Sequence, residues 1–243
     1  MRIAQASPGC DTGASLLSCR ALFLRVMPMA DSLAATLFDA ALRGMLVALL
    51  ALLAFVLARD RTALPAARAA VALVLGLAGQ VVGSTPFLEE MLPRSWQAPL
   101  VAVSVGNAVL FWVFVQALFD DDFSLRPVHA AAWLAVAGLA AFNCAFMNGS
   151  ASVLAPVTVG LQRAVPLVFA VLATTAAAAH WRGDLVEGRR RLRVFIVVTG
   201  VAYTLAMLMV RLAAPHGRLT GMTATADVAM LLFIVAGTAA WML

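Results

Sequence analysis

Trp181–Arg193, WRGDLVEGRRRLR, holds five of the seventeen arginines of the chain and lies between two long apolar runs. It is the densest basic cluster in the sequence. Membrane insertion leaves such clusters on the cytoplasmic side, so this segment orients the runs around it. Working outward, apolar runs fall at about 38–58, 66–85, 99–118, 128–147, 158–180, 194–213 and 222–243. Each is near the ~20 residues that cross ~30 Å of hydrocarbon as a helix. In hydrocarbon every backbone N–H and C=O needs an internal partner, which a helix supplies within the run. The expected fold is all-α: a polytopic membrane protein, with residues 34–243 as a seven-transmembrane-helix bundle.

Composition gives the same answer. The chain has 243 residues, 63% hydrophobic and 12% charged, whereas a soluble domain carries about 25% charged residues. A water-facing surface cannot be made from half that amount. The net charge of +5 rests on arginine alone, for there is no lysine. That excludes a retinal Schiff base, which seven spans would otherwise invite. Cys10, Cys19 and Cys144 have no CxxC spacing, and His129, His180 and His216 lie at span ends, so neither a metal site nor a buried haem is expected. No HExxH, no serine paired with a histidine on a neighbouring span and no spaced acidic motif marks an enzyme, and no cofactor is expected.

The arginines also set direction. The loops at 59–68, 119–128 and 182–193 hold nine, and the opposite side holds six: Arg2, Arg20, Arg25, Arg94, Arg211 and Arg218. The six become three if translation starts at Met27 or Met29. The asymmetry predicts an outside N-terminus and an inside C-terminus. Residues 1–33 are broken by Arg20, Arg25 and Pro28 and read as an extension, disordered or lying on the membrane surface. Pro65, Pro99, Pro127 and Pro156 are expected at span starts, where a proline loses no helical hydrogen bond. Pro166 is expected to kink the fifth span.

Ionisable residues inside spans cost about 2.5–3.5 kcal/mol on insertion scales and need a reason. Asp39, Arg43, Arg163 and Asp227 are the four, all within about two turns of the outer end. Asp39 and Arg43 are spaced i,i+4 in the favourable order for an ion pair. Gln80, Asn107 and Asn143 reach a similar depth. Together these seven predict a polar pocket open to the outer face, with Arg163 offered to an anionic group and Asp227 as its partner or orienter. The competing reading is that the shallow charges snorkel to the interface and pair for stability. Tyr203 needs a hydroxyl partner, with Gln80 or Asn107 the expected one. On the inner side, Asp120, Asp121 and Asp122 sit at a helix C-terminus, the wrong end of the helix dipole for anions. Arg189, Arg190, Arg191 and Arg193 lie on the same side and are expected to offset them as a cytoplasmic latch. The Gly79/Gly83 GxxxG spacing permits close helix contact, within the bundle rather than between copies.

Two segments, FWVFVQALFDDDFSLRPVH (111–129) and WRGDLVEGRRRLR (181–193), with LARDRTALPAARAAVALVLGLAGQ (57–80), resemble the membrane-embedded N-terminal half of a group of bacterial AraC-type transcriptional regulators. The resemblance covers roughly residues 36–243. It implies a seven-span sensor of the bacterial inner membrane that relays an outer or lipid-borne signal to the cytoplasm. In that group a helix-turn-helix domain follows. No such segment occurs up to Leu243, so direct nucleic-acid binding by this chain is not expected. The expected partners are the lipid bilayer, a small-molecule or lipid ligand, and a second copy or a separate regulator. The alternative function is a small transporter or channel subunit. That class favours inverted repeats and broken spans, whereas seven spans do not divide evenly and Pro166 alone interrupts one.

Overall fold

The computed structural model describes the backbone of residues 12–60, 64–85, 91–120, 122–147, 152–179, 187–213 and 222–242. Side chains are described from Leu33 onward, apart from residues 60, 94, 187–190, 192, 193, 211, 213, 241 and 242. The described residues form seven α-helices and no strand. They are α1 (Thr12–Asp60), α2 (Pro65–Gly83), α3 (Arg94–Phe119), α4 (Pro127–Phe142), α5 (Leu154–Ala179), α6 (Glu187–Ala213) and α7 (Met222–Met242). A π-helical turn, Asn143–Met147, continues α4.

Six stretches are long and apolar enough to cross a membrane: Leu33–Arg59, Pro65–Gly83, Ser95–Phe119, Pro127–Met147, Leu154–Ala179 and Met222–Ala240. The lengths and composition are those of a multi-pass membrane protein. The apolar part of α6 is shorter, 17 residues from Val194 to Val210, or about 25 Å of helix. Arg189, Arg190, Arg191 and Arg193 occupy its first turns and shorten the apolar run.

The chain divides into two compact units, residues 1–41 and 42–243, with the boundary inside α1. The first is helical from Thr12, and its Leu33, Leu37 and Phe38 are exposed. The second holds the core. Its exterior is apolar as well: Leu52, Phe55, Leu75, Leu134, Leu161 and Phe233 all point outward. Such a surface is at home in lipid rather than water.

Within residues 42–243, α3 is the central helix. Buried residues make up 44% of its apolar window, against 33% or less in the other five, and α2, α4, α5 and α6 all pack on it. Val109, Val113, Phe114 and Ala117 of α3 meet Ala69 and Ala70 of α2 and Ile196 of α6 in one cluster. Val115 and Phe119 meet Ala173 and Ala177 of α5 and Val197 of α6 in another. A third joins Leu46 and Leu50 of α1, Val81 of α2, and Val228, Leu231 and Val235 of α7.

Small residues let the backbones approach. On α2, Gly79 faces Val103 and Gly83 faces Leu100, while a Cβ at Gly76 would overlap Asn107 Oδ1. The GxxxG spacing therefore serves α2–α3 contact inside the bundle. Gly200 of α6 likewise lies under the Phe111 ring.

Pro65 and Pro127 stand in the first turns of α2 and α4 as expected. Pro99 does not stand at a start. Arg94 opens α3, and Pro99 lies inside it. The helix gains the extra turn because Pro93 precedes it and the carbonyl of Pro93 accepts from the Trp96 and Gln97 N–H groups. Pro166 lies inside α5, which is helical on both sides of it.

Gly76→Ala and Gly200→Ala should each lower the melting temperature of the detergent-solubilised protein, with a cost of about 1–3 kcal/mol for overpacking. Gly138, where an added Cβ meets nothing within 4 Å, is the control. Gly138→Ala should leave the melting temperature unchanged or raise it.

Candidate functional site

Residues 42–243 enclose a cavity of about 1050 Å³, open to the surface and walled by six of the seven helices. α4 contributes no residue to it. The walls carry a polar group of residues. On four helices apolar lining lies to one side of it, and on the other side lie Val159 of α5 and Met207, Leu208 and Leu212 of α6. On α3, Ser104 and Asn107 precede Phe111 and Phe114; on α5, Gln162 and Arg163 precede Pro166 and Ala170. On α2 and α6 the order reverses: Ala70 and Leu73 come before Gln80, and Ile196 before Tyr203 and Thr204. α2 and α6 run opposite to α3, as the Gly83–Leu100 and Gly76–Asn107 contacts require for α2. The polar groups of all four helices therefore collect at the same level, the polar end of the apolar half described next. In the apolar half, the Thr199 and Thr238 hydroxyls donate to the Phe195 and Val235 carbonyls of their own helices, at 2.6 and 2.8 Å. That leaves them little to offer a ligand.

The polar end is wired between helices. Asn107 Nδ2 donates to Gln80 Oε1 at 3.0 Å, joining α3 to α2. Tyr203 Oη donates to Asp227 Oδ1 at 2.7 Å, joining α6 to α7. Asn143 Nδ2 donates to Gln162 Oε1 at 2.8 Å and to the Thr158 carbonyl at 3.0 Å, joining the π-turn to α5. Arg163 differs from these. It lines the cavity, its side chain is exposed, and it has no hydrogen-bond or ion-pair partner among the described residues. A guanidinium so placed has five donors to offer an anion.

The seven residues expected to form the pocket separate into three groups. Gln80, Asn107 and Arg163 line the cavity. Asn143 and Asp227, both buried, stand behind the wall and hold the lining residues Gln162 and Tyr203. Arg43 lies outside the lining: its guanidinium donates to the Val81 carbonyl at 3.0 Å and to Ser84 Oγ at 2.8 Å, capping the end of α2. Asp39 belongs to the first unit.

Two pairings differ from expectation. The Tyr203 hydroxyl goes to Asp227 rather than to Gln80 or Asn107; those two amides share one bond, Asn107 Nδ2 to Gln80 Oε1, which leaves the buried Asn107 Oδ1 without a partner among the described residues. Asp227 consequently orients Tyr203 and is no partner of Arg163. Sequence reasoning also missed Gln162 and Ser104 as lining residues. A lone glutamine next to Arg163 in an apolar run was the available signal.

At the opposite end, the α3–α4 turn is tightly built. Asp120 Oδ1 accepts the Asp122 N–H at 3.1 Å, and the Asp120 carbonyl accepts the Phe123 N–H at 3.2 Å. His129 Nδ1 accepts the Arg126 N–H at 3.0 Å. The His129 ring lies 5.5 Å from that of Trp112 and 5.3 Å from that of Phe123. Asp120 is half-buried, while Asp122 and Arg191 are exposed. Asp121 and the side chains of Arg189, Arg190 and Arg193 lie outside the described residues, as do Trp181, His180 and His216.

With this geometry in hand, the chain was compared with protein-family models, curated proteins and solved structures, and it matches none of them.

If the Tyr203–Asp227 bond ties α6 to α7, Tyr203→Phe and Asp227→Ala should be non-additive. Thermal melts of the single and double variants in detergent should give a coupling of about 0.6–1.7 kcal/mol, the range for hydrogen bonds between membrane helices. Additive losses would mean that the two side chains act separately.

Proposed function

We propose that residues 34–243 form a signal-receiving domain of the bacterial inner membrane, a seven-span bundle with its N-terminus outside and its C-terminus inside. It takes a small or lipid-like ligand into the cavity and passes the change to the cytoplasmic face. The observation that carries this reading is the cavity itself: large, walled by six helices and polar toward the end that the arginine asymmetry assigns to the outside. A pocket of roughly 300–1,000 Å³ with a few convergent polar groups is the usual form of a small-molecule site.

The α6 helix counts as the seventh span on two grounds. It packs on α3, α5 and α7 and walls the cavity. Arginines flank its short apolar run in the sequence, and an arginine stem can lengthen such a run by lying along hydrocarbon with its head in water.

The route inward runs through α3. Phe114 and Ile196 wall the apolar end of the cavity and belong to the cluster around α3. Phe111 walls it too and packs against the cluster that contains Phe119 and Val197. Phe119 adjoins the acidic turn, and Val197 lies six residues after Arg191, about 9 Å along the helix. In this reading Asp120–Asp122 and the Arg189–Arg193 cluster form the latch that a ligand loosens or tightens. The proposed output is transcription control through a regulator that senses the cytoplasmic face, a reading supported by the resemblance of residues 57–80, 111–129 and 181–193 to AraC-type regulators.

Reporter fusions test the arrangement. A fluorescent protein inserted within 182–186 or fused after Leu243 should mature in the cytoplasm. Alkaline phosphatase inserted within 214–221 should be active in the periplasm. A loop at 214–221 on the same side as 182–186 would mean that α6 does not cross, and a C-terminal fusion active only in the periplasm would invert the whole scheme. Net solute uptake by reconstituted vesicles would favour a carrier over a receptor.

A further inference from the structure

We infer that the cavity holds a single-chain amphiphile with a monoanionic carboxylate head, bound by Arg163, and a medium-length alkyl tail directed toward Phe114. The inference rests on reading the cavity as a ligand site and names what fills it.

The polar and apolar ends of the wall fix the orientation. Among the described residues Arg163 is the one cationic residue in the lining, and one negative charge satisfies it. Its planar fork matches a carboxylate in a bidentate pair. Gln162, whose Oε1 is taken by Asn143, retains its Nε2 donors beside Arg163. Gln80 likewise accepts from Asn107 through Oε1 and keeps its amide donors for the polar end. The head region thus offers donors to an acceptor-only group. The exposure of Arg163 leaves that end accessible from outside the bundle.

Tail length follows from helix register. From the polar to the apolar lining residue is seven positions on α3 (Asn107 to Phe114), seven on α5 (Arg163 to Ala170) and seven on α6 (Tyr203 to Ile196). On α2, from Gln80 to Ala70, it is ten. At 1.5 Å per residue the apolar half is about 10–15 Å deep. An extended chain of C–C bonds of about 1.5 Å advances about 1.3 Å per carbon, which gives roughly 8–12 carbons. Phe114, Ala70 and Ile196 belong to one packed cluster of buried residues at the apolar end.

The experiment uses the full chain in nanodiscs of phosphatidylcholine, with dansylaminoundecanoate as the fluorescent probe and decanoate as the competitor. Decanoate should displace the probe, with hexanoate and methyl decanoate each at least about tenfold weaker, as expected when tail burial or the charged contact is lost. Arg163→Gln should weaken decanoate by about 10- to 100-fold, and Arg163→Lys by less. Ala170→Trp, which fills the tail region and leaves the charged end untouched, should also weaken it. Equal binding of the acid and its methyl ester, or an unchanged Arg163→Gln, overturns the inference and leaves Arg163 as an interfacial anchor only. No binding of any carboxylate overturns it as well.

Hydrogen exchange at residues 120–126 reports separately on the receptor reading. Decanoate that binds and changes exchange there supports both. Decanoate that binds without changing it removes the relay while the ligand class stands.

Discussion

In hydrocarbon a leucine gains little by turning from lipid to a neighbouring helix, because the two surroundings are equally apolar. Helices associate there through close backbone packing and through polar groups that find each other. The packing of residues 42–243 follows from that constraint. Gly76, Gly79 and Gly83 let α2 settle against Asn107, Val103 and Leu100 of α3, and Gly200 lets α6 settle under Phe111. Asn107–Gln80, Tyr203–Asp227 and Asn143–Gln162 then join α2 to α3, α6 to α7 and α4 to α5. Each of these bonds removes polar groups from a solvent that cannot pair with them.

The cavity lies among those contacts. Several of them lie in the wall itself, as Asn107–Gln80 and Gly200–Phe111 do, and others stand behind it, as Asn143 and Asp227 do. α4 lines none of it, yet it governs one wall. The π-turn at its end turns Asn143 toward α5, and Asn143 holds Gln162, the neighbour of Arg163. π-turns recur at functional sites because they re-aim one side chain at the cost of a strained turn. At the other end of the molecule, Asp120 and His129 spend their side chains on the α3–α4 turn. The described residues of the turn are consequently tied to the start of α4 and the end of α3, the helix that most of the others touch.

How much could be read in advance depended on range. The helix positions needed only local information: apolar runs, their length, and prolines in first turns. Pro99 was misplaced because the helix start was decided by the carbonyl of Pro93, a contact that hydropathy does not register. The rarity of polar residues in apolar runs singled out Asp39, Arg43, Gln80, Asn107, Asn143, Arg163 and Asp227; the last five are at the cavity or behind its wall, while Arg43 caps α2 and Asp39 belongs to the first unit. Their partners were not legible. Tyr203 and Asp227 are 24 residues apart, and Asn107 and Gln80 are 27 apart. Which pairs form depends on the rotation of each helix about its own axis.

The amino-acid sequence by itself determined that this chain is built of apolar helices, where they run and which residues in them are out of place in lipid. Hydrophobic length and the expense of a buried charge are properties of single segments. Only the tertiary structure decided that Arg43 caps α2 while Arg163 faces an open cavity, although each is an arginine inside an apolar run. The physical reason is that a helix presents a different residue every 100° or so of turn, and its neighbours select which of them meet protein, lipid or empty space.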